Sequence, residues 1–527
     1  MAPLTSPDPI GRTSSLSRRH LLELIGAALA VPALAACAGD APAASVDSDP
    51  SASPTPGGTA RLAFAGAGAG ESLDPTAGST AVEMACYSIL YDQIFFFAGG
   101  TAQPGLATAA TLSADARTVT LTLRDGVTWH DGSTFTAKDV VHTFVHRASP
   151  KRAYPSELTM YLDLAKARAT GELEVTLPVV QPVGDPATLI AGSGIFVIRD
   201  GAEQFAVGSA LGTGPYKIAA WEAGSQARLT RNDAYWDGAG AADEVVLLSI
   251  SDPAARVNAV RGNQCDYASD ISWATAKAGV PDADLQIRDG GPTLRTSYGF
   301  VLNVQRPLCA DAKVRKAIRL GVNRQALVDA VFLGYGEPGN DLFGFGAKYF
   351  LDSAPVPTHD PEQARTLLTE AGAQGKELVI RTAEYETGLN SSAELFAEQM
   401  RAIGLTPKLV SVGVQEGFDP DGMTATDAIA FPLGPFSLDV TYTRSAAYPT
   451  LAFNDPELVE QLAIAVGSPQ ESARSAAWTK VQQVMVDRGN WVAWGRGDVL
   501  SLARRNLVGI AARESPKYPW LGKVGFS

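Results

Sequence analysis

Three histidines raise the first chemical possibility. His142 and His146 stand four residues apart, which places both rings on one face of a helix, where a zinc ion could take His130 as its third ligand. No glutamate follows His142 to complete an HExxH pattern, so the expectation is two histidines on a solvated helix face and no metal. Gly66-Ala67-Gly68-Ala69-Gly70 follows a strand-like run but lacks the spacing and the helix of a dinucleotide fingerprint. It reads as a flexible loop at the rim of a cleft. No Gly-x-Ser-x-Gly elbow and no CxxC occur. Besides Cys37, the cysteines are Cys86, Cys265 and Cys309. Two arrangements stay open for these, a Cys265–Cys309 bridge or three buried thiols. No catalytic constellation emerges, and the chain is read as a non-enzyme without cofactor or metal.

The N-terminus carries chemistry of another kind. Arg18-Arg19 precedes an apolar run of about sixteen residues that ends in Leu34-Ala35-Ala36-Cys37. Charged, apolar and small residues in that order form an export signal, and the run is short for a membrane span. Ser17-Arg18-Arg19 with Leu21-Leu22 resembles the twin-arginine export motif. The small residues before Cys37 resemble the lipobox of bacterial lipoproteins, which implies cleavage before Cys37 and lipid on its sulfur. Residues 1–36 are therefore read as an export signal. Residues 37–57, nearly all Ala, Asp, Ser, Pro, Thr and Gly, are read as a disordered tether, because they cannot bury enough apolar surface to offset ordering entropy. The expected location is the outer face of the cytoplasmic membrane, with the protein lipid-anchored.

About 470 residues follow the tether, more than one hydrophobic core supports, so two or more domains are expected. The composition, 46% hydrophobic and 19% charged, is that of a globular protein. The net charge of −13 becomes −14 without residues 1–36, and no basic cluster offers itself to nucleic acid. Residues 57–64 read as a first strand. Val119–Arg124 alternates and ends at Asp125-Gly126, a hairpin signal. Thr136 is placed to cap a helix, with Asp139 at its third position. Ala312–Leu333 has helical spacing with a break near Asn323-Arg324. Asp360-Pro361-Glu362 opens a helix that stops at Gly372. A strand at 376–380, a helix at 391–403 and a strand at 407–412 then alternate, which marks an α/β lobe. Helices at 456–466 and 471–488 follow.

Leu123-Arg124-Asp125-Gly126-Val127-Thr128-Trp129-His130-Asp131-Gly132-Ser133-Thr134-Phe135-Thr136-Ala137-Lys138-Asp139-Val140 closely resembles the signature of family 5 extracellular solute-binding proteins, the peptide, nickel and opine receptors of ATP-binding-cassette importers. Leu73-Asp74-Pro75, Gly212-Thr213-Gly214-Pro215-Tyr216, Arg231-Asn232-Asp233-Ala234-Tyr235-Trp236, Val314–Ile318 with Val322-Asn323-Arg324, and Asp360–Leu368 with Ala371-Gly372 agree in order. The likeness runs from about residue 58 to the C-terminus. Most of these motifs read as scaffold, with glycines where tight turns need positive φ. The resemblance implies an α/β, two-lobed periplasmic-binding-protein-like fold (type II, cluster C) with an extra subdomain inserted in the first lobe. On this sequence that places the first lobe at 58–77, 209–297 and 490–527, the inserted subdomain at 78–208 and the second lobe at 298–489. It also implies a monomer that closes on solute and docks on permease subunits.

In dipeptide-type members an Asp shortly after a Gly-Trp pair holds the peptide's amino terminus, and an earlier Arg holds its carboxylate. Here the first segment reads Ala430-Phe431-Pro432-Leu433-Gly434-Pro435-Phe436, with Asp439 as the nearest acid, and the second is the acidic loop Ala383–Asn390. The candidate ligand contacts are Glu384, Tyr385, Phe436, Asp439, Tyr442 and Asn303, with Glu386 as a further acid. Acids would meet positive charge and aromatic rings would stack on it. A peptide is the expected solute. A cationic or neutral small solute (a metal chelate, an opine, an oligosaccharide) and a sensing or chaperone role on the same fold are the alternatives.

Overall fold

Strand Thr59–Phe64 begins the first sheet and pairs in parallel on both sides, with Glu244–Ser249 and with Tyr267–Ile271. Leu500–Arg504 and Leu285–Arg288 extend one edge, and Gln226–Arg231 and Tyr216–Glu222 the other. This computed structural model describes residues 52–77, 80–149, 156–417, 419–448, 450–513 and 515–527, so the export signal, Cys37 and residues 38–51 lie outside the described residues. Among the described residues no helix is long and apolar enough to cross a membrane. The last part of the expected tether belongs to the folded body, since Thr55 N–H donates to the Phe526 carbonyl at 2.7 Å.

A second sheet runs in the order Gly336–Pro338, Trp491–Gly497, Thr296–Leu302, Ala428–Leu433, Glu377–Thr382, Thr406–Ser411. Three of these strands, Thr296–Leu302, Ala428–Leu433 and Trp491–Gly497, are buried along their whole length, as strands covered on both faces must be. A third, antiparallel sheet orders Ala107–Leu112, Thr118–Leu123, Glu174–Pro178 and Arg168–Gly171. Its central strands Thr118–Leu123 and Glu174–Pro178 alternate buried and more exposed residues, so one face is wet.

Several helices start by one device. Asp185, Asp252, Asp360 and Asp455 each precede a proline and accept the N–H of the third helical residue (Thr188 at 3.0 Å, Ala255 at 2.6 Å, Gln363 at 2.9 Å, Leu458 at 3.3 Å). The carboxylate satisfies an orphan N–H, and proline occupies a position whose N–H has no partner anyway. The break expected near Asn323 is present: helix Ala312–Gly321 ends there, and Asn323 caps the short Arg324–Leu327 helix.

Three expectations need correction, and the alternative left open for the cysteines is decided. Asp125-Gly126 makes its tight turn but no hairpin, because Thr118–Leu123 pairs with Ala107–Leu112 before it and with the distant Glu174–Pro178. Helix Ala81–Leu90 shares a core with Leu62, Phe64 and Leu247, so it packs on the first sheet and not in the insertion. Strand Trp491–Gly497 pairs with Thr296–Leu302 in the second sheet, which moves the return from the second sheet to the first to 498–499. Cys86, Cys265 and Cys309 are three buried free thiols, and no bridge joins Cys265 to Cys309.

Two apolar clusters cross between these bodies. One runs from the insertion (Phe97, Leu189, Ile190) into the second sheet's helices (Leu438, Tyr442, Trp478). The other joins Trp273, which packs under the first sheet, to Tyr298, Phe332 and Trp494 of the second. Trp273 and Phe332 meet edge to face at 4.8 Å.

Candidate functional site

The family-like motifs converge on anchors. The carboxylate of buried Asp92 accepts from Thr213 Oγ1 (2.9 Å), Tyr235 Oη (2.9 Å) and Trp236 Nε1 (3.0 Å). The Gly212–Tyr216 and Arg231–Trp236 motifs are thereby tied to the segment that follows helix Ala81–Leu90. His130 Nδ1 accepts from Gly212 N–H at 3.2 Å and its Nε2–H donates to the Gly214 carbonyl at 3.0 Å. Burial pushes its pKa down to about 4, so the ring stays neutral and locks a turn. Asp139 Oδ2 accepts from Thr136 N–H at 2.8 Å, the capping contact expected there.

The two histidine rings stand 6.1 Å apart, and each has its own partner. The His142 ring lies 3.2 Å from the Ala202 carbonyl through Nε2, and His146 Nε2 lies 3.2 Å from Thr76 Oγ1. Both are partly buried, which corrects the solvated face expected from spacing. Among the described residues no group of three or more His, Cys, Asp or Glu side chains could hold a metal ion.

The glycine loop is pinned and not flexible. Glu71 Oε1 accepts from Ala67 N–H (2.9 Å), Gly68 N–H (3.3 Å) and Ser249 Oγ (2.5 Å), and its Oε2 from Gly224 N–H (2.9 Å). A Cβ at Gly66 would sit 1.9 Å from Ser249 Oγ, so the loop needs glycine to lie this close to the sheet.

Of the acids in the 383–390 loop, neither is free to meet a solute. Exposed Glu384 accepts the N–H groups of Gly388 (2.6 Å) and Asn390 (2.7 Å), capping helix Leu389–Ala402. Glu386 pairs with Lys517 at 2.8 Å, and Lys517 also donates to the Tyr385 carbonyl at 3.1 Å, 132 residues away in sequence. The Tyr385 hydroxyl donates to the Ala430 carbonyl at 3.1 Å.

Asp439 has different surroundings. It lines a cavity of about 170 Å³ between helix Pro186–Gly192 and helices Leu438–Ala447 and Glu471–Arg488, together with Asp185, Lys348, Tyr349, Arg474 and Trp478. Burial, then the nearby Asp185 carboxylate, raise the Asp439 pKa to about 7, against the pull of Arg474 and Lys348. Lys348 and Arg474 are held side by side by Glu471, each at 2.7 Å. Arg474 also donates to the Ser468 carbonyl at 2.9 Å and to the Gly184 carbonyl at 3.4 Å, which staples the insertion to the second body. Trp478 is fully buried, and its indole N–H finds no acceptor among the described residues. The cavity thus presents two carboxylates and two cations within one enclosure, an arrangement that can take a solute charged at both ends.

The remaining candidates fall elsewhere. Phe436 folds back over Gly434, which lies 3.6 Å from its ring if given a Cβ, and leads into the cavity-lining Ser437–Asp439. Tyr442 is 4% exposed, with its ring 5.4 Å from Trp478 and 4.8 Å from Trp491, so it is core and lies outside the cavity lining. Asn303 is buried, and its Nδ2 donates to the Thr426 carbonyl at 3.1 Å while its Oδ1 accepts from Gln305 N–H at 3.1 Å. It braces a turn. Asp185, Lys348, Arg474 and Lys517 were not anticipated. Asp185-Pro186 carries a visible helix-start signal, but nothing local says that Asp185 shares one enclosure with Lys348, Asp439 and Arg474.

Comparison with known proteins gives the geometry its context. The family described as bacterial extracellular solute-binding proteins, family 5 Middle, matches residues 101–439. The glutathione-binding protein GsiB of Salmonella paratyphi A is 22% identical over 427 residues, covering 77% of this chain and 82% of that protein. Among solved structures, the DppA periplasmic binding protein of Helicobacter pylori in complex with peptide STSA aligns with a TM-score of 0.77 at 18% identity, over 90% of this chain and 98% of that one. NikA of Staphylococcus aureus in complex with Ni(L-His)2 aligns with a TM-score of 0.74 at 15% identity, over 89% and 100%.

Proposed function

Because the chain belongs to the bacterial extracellular solute-binding proteins of family 5, the solute receptors of ABC importers, we propose that its own solute is a short peptide captured at the Asp439 cavity. The family is a receptor family without catalysis, and its members act outside the cytoplasm. The observation that carries the peptide reading is the charge content of the cavity, which partly buried Asp439 and Asp185 line together with Lys348 and Arg474. In this reading the solute's ammonium group meets Asp439, and its carboxylate meets the cationic pair. Arg474 is buried and Lys348 half-exposed, and both already pair with Glu471, so the solute's carboxylate would share them with that residue. Glu384 and Glu386 are already partnered, which removes two of the three acids that would favour a purely cationic solute. The named relatives include receptors of glutathione and of a peptide, in keeping with this reading.

The same reading has the receptor held at the membrane through lipid on Cys37 and handing its solute to a permease as a monomer. Native mass spectrometry of residues 38–527, purified without refolding, tests the solute. Peptide masses released on denaturation are expected. Retention of one non-peptide mass would overturn the assignment.

A further inference from the structure

The lobes of such a receptor must part and close, and one charged contact joins them away from the Asp439 cavity. Lys517 belongs to the C-terminal segment that packs on the first sheet through Leu507, Ile510, Leu521 and Val524. Glu386 belongs to the loop that follows strand Glu377–Thr382 of the second sheet. Their ion pair at 2.8 Å leaves the two side chains 9% and 12% exposed. The ammonium also donates to the Tyr385 carbonyl at 3.1 Å, so one lysine gathers two groups of the opposite lobe.

The loop comes close to the first body at a second point. Gly388, at φ +89°, would bring a Cβ to 2.7 Å from the Trp273 ring, so no larger residue fits there without a shift. Trp273 is itself held by its Nε1–H donating to the Asp498 carbonyl at 2.8 Å, at the return from the second sheet to the first. Tyr298 of the second sheet also faces the Glu386 carboxylate. Burial alone would raise the Glu386 pKa, and the Asp270 carboxylate of the first sheet adds to this. Lys517 opposes both. Burial would lower the Lys517 pKa, yet Glu386 holds it above the ordinary lysine range. Each group needs the other, and neither lines the Asp439 cavity.

We propose that Glu386 and Lys517 are positioning residues that form a latch between the lobes, and that this pair sets how much of the receptor stands closed without touching the solute. Parting the lobes would leave both charges to water, whereas removing one partner leaves the other buried and uncompensated in the closed form. Either single substitution therefore shifts the population toward the open form. Solute affinity then falls by the fraction of closed receptor lost, about tenfold if that fraction drops to a tenth. The latch rests on the receptor reading only in requiring two lobes that part. Its test uses no solute, so it fails or stands separately from the peptide assignment.

Spin labels at Arg261→Cys in the first lobe and Glu398→Cys in the second report the inter-lobe distance by pulsed electron paramagnetic resonance; the native cysteines in the labelled body are buried. Lys517→Met and Glu386→Gln are each expected to lengthen that distance in the solute-free protein. The charge-reversed double variant Glu386→Lys with Lys517→Glu is expected to restore much of the short-distance population. A melting temperature for each variant separates opening from unfolding. Folded single variants whose distances match the parent protein overturn the latch and leave the pair a local packing feature.

Discussion

Replacing Asp439 by Asn separates recognition from stability and gives opposite signs for the two. The Asp439 carboxyl has a pKa of about 7, raised by burial and by Asp185 against Arg474 and Lys348, with Tyr161 also facing it. A solute ammonium needs the ionised form, so affinity should follow the ionised fraction. Between pH 5.5 and 7.5, where a peptide amino terminus stays largely protonated, that fraction and the affinity rise about 25-fold. Asp439→Asn should weaken binding at pH 7.5 by about 10- to 100-fold, the cost of a hydrogen bond to a charge, and flatten the profile. Stability moves the other way. The folded pKa lies above the unfolded value of 3.8, so the fold binds more protons than the unfolded chain between these values. Stability therefore falls as pH rises from about 4 to 7, by at most about 4 kcal/mol at 1.36 kcal/mol per unit. Asp439→Asn should accordingly stabilise the solute-free protein at pH 8 and change little at pH 4. Dipeptide calorimetry and urea unfolding across pH provide the two readouts. An Asn variant that loses stability equally at both pH values and keeps the parent binding profile would refute the reasoning.

The scaffold anchors yield further expectations. His130 has a pKa lowered to about 4 from 6.5, so the unfolded chain binds the extra proton first and stability declines as pH falls from about 6.5 to 4, by about 3 kcal/mol. His130→Gln should remove that part of the slope in urea titrations at pH 4.5 and 7.5. Asp92→Ala leaves Thr213, Tyr235 and Trp236 without their acceptor and should cost about 3 kcal/mol or more by thermal unfolding, with the preferred solute unchanged. Glu71→Ala releases the backbone of Ala67, Gly68 and Gly224, and hydrogen exchange there should quicken while the sheet stays protected.

Much of the scaffold was legible because it is written in local rules. The Asp360-Pro361 helix start, the Thr136–Asp139 cap and the break at Asn323 all depend on residues within a few positions, and the structure places each where spacing put it. Pairing partners were less visible. Asp125-Gly126 looked like a hairpin because a turn residue pair does not say which strand comes next, and Thr118–Leu123 finds Glu174–Pro178 about 50 residues on. The cleft was the least legible part. Asp439 was found through its distance from a family segment, but the charges around it come from Asp185, Lys348 and Arg474, whose meeting depends on tertiary folding alone. Tyr442 looked like a stacking ring in a loop, and only the flanking Trp478 and Trp491 reveal it as core. Likewise the loop around Glu386 appears acidic in sequence, while in space Lys517 balances it.

The most direct test of a peptide receptor built around Asp439 is titration calorimetry of the folded body with a dipeptide in free and in N-acetylated form at pH 7.5. Acetylation removes the ammonium and leaves the rest of the solute intact. Saturable, one-to-one binding of the free dipeptide, lost on acetylation, is the predicted result. Equal affinity for both forms, or binding of neither alongside tight binding of a metal chelate, would contradict it.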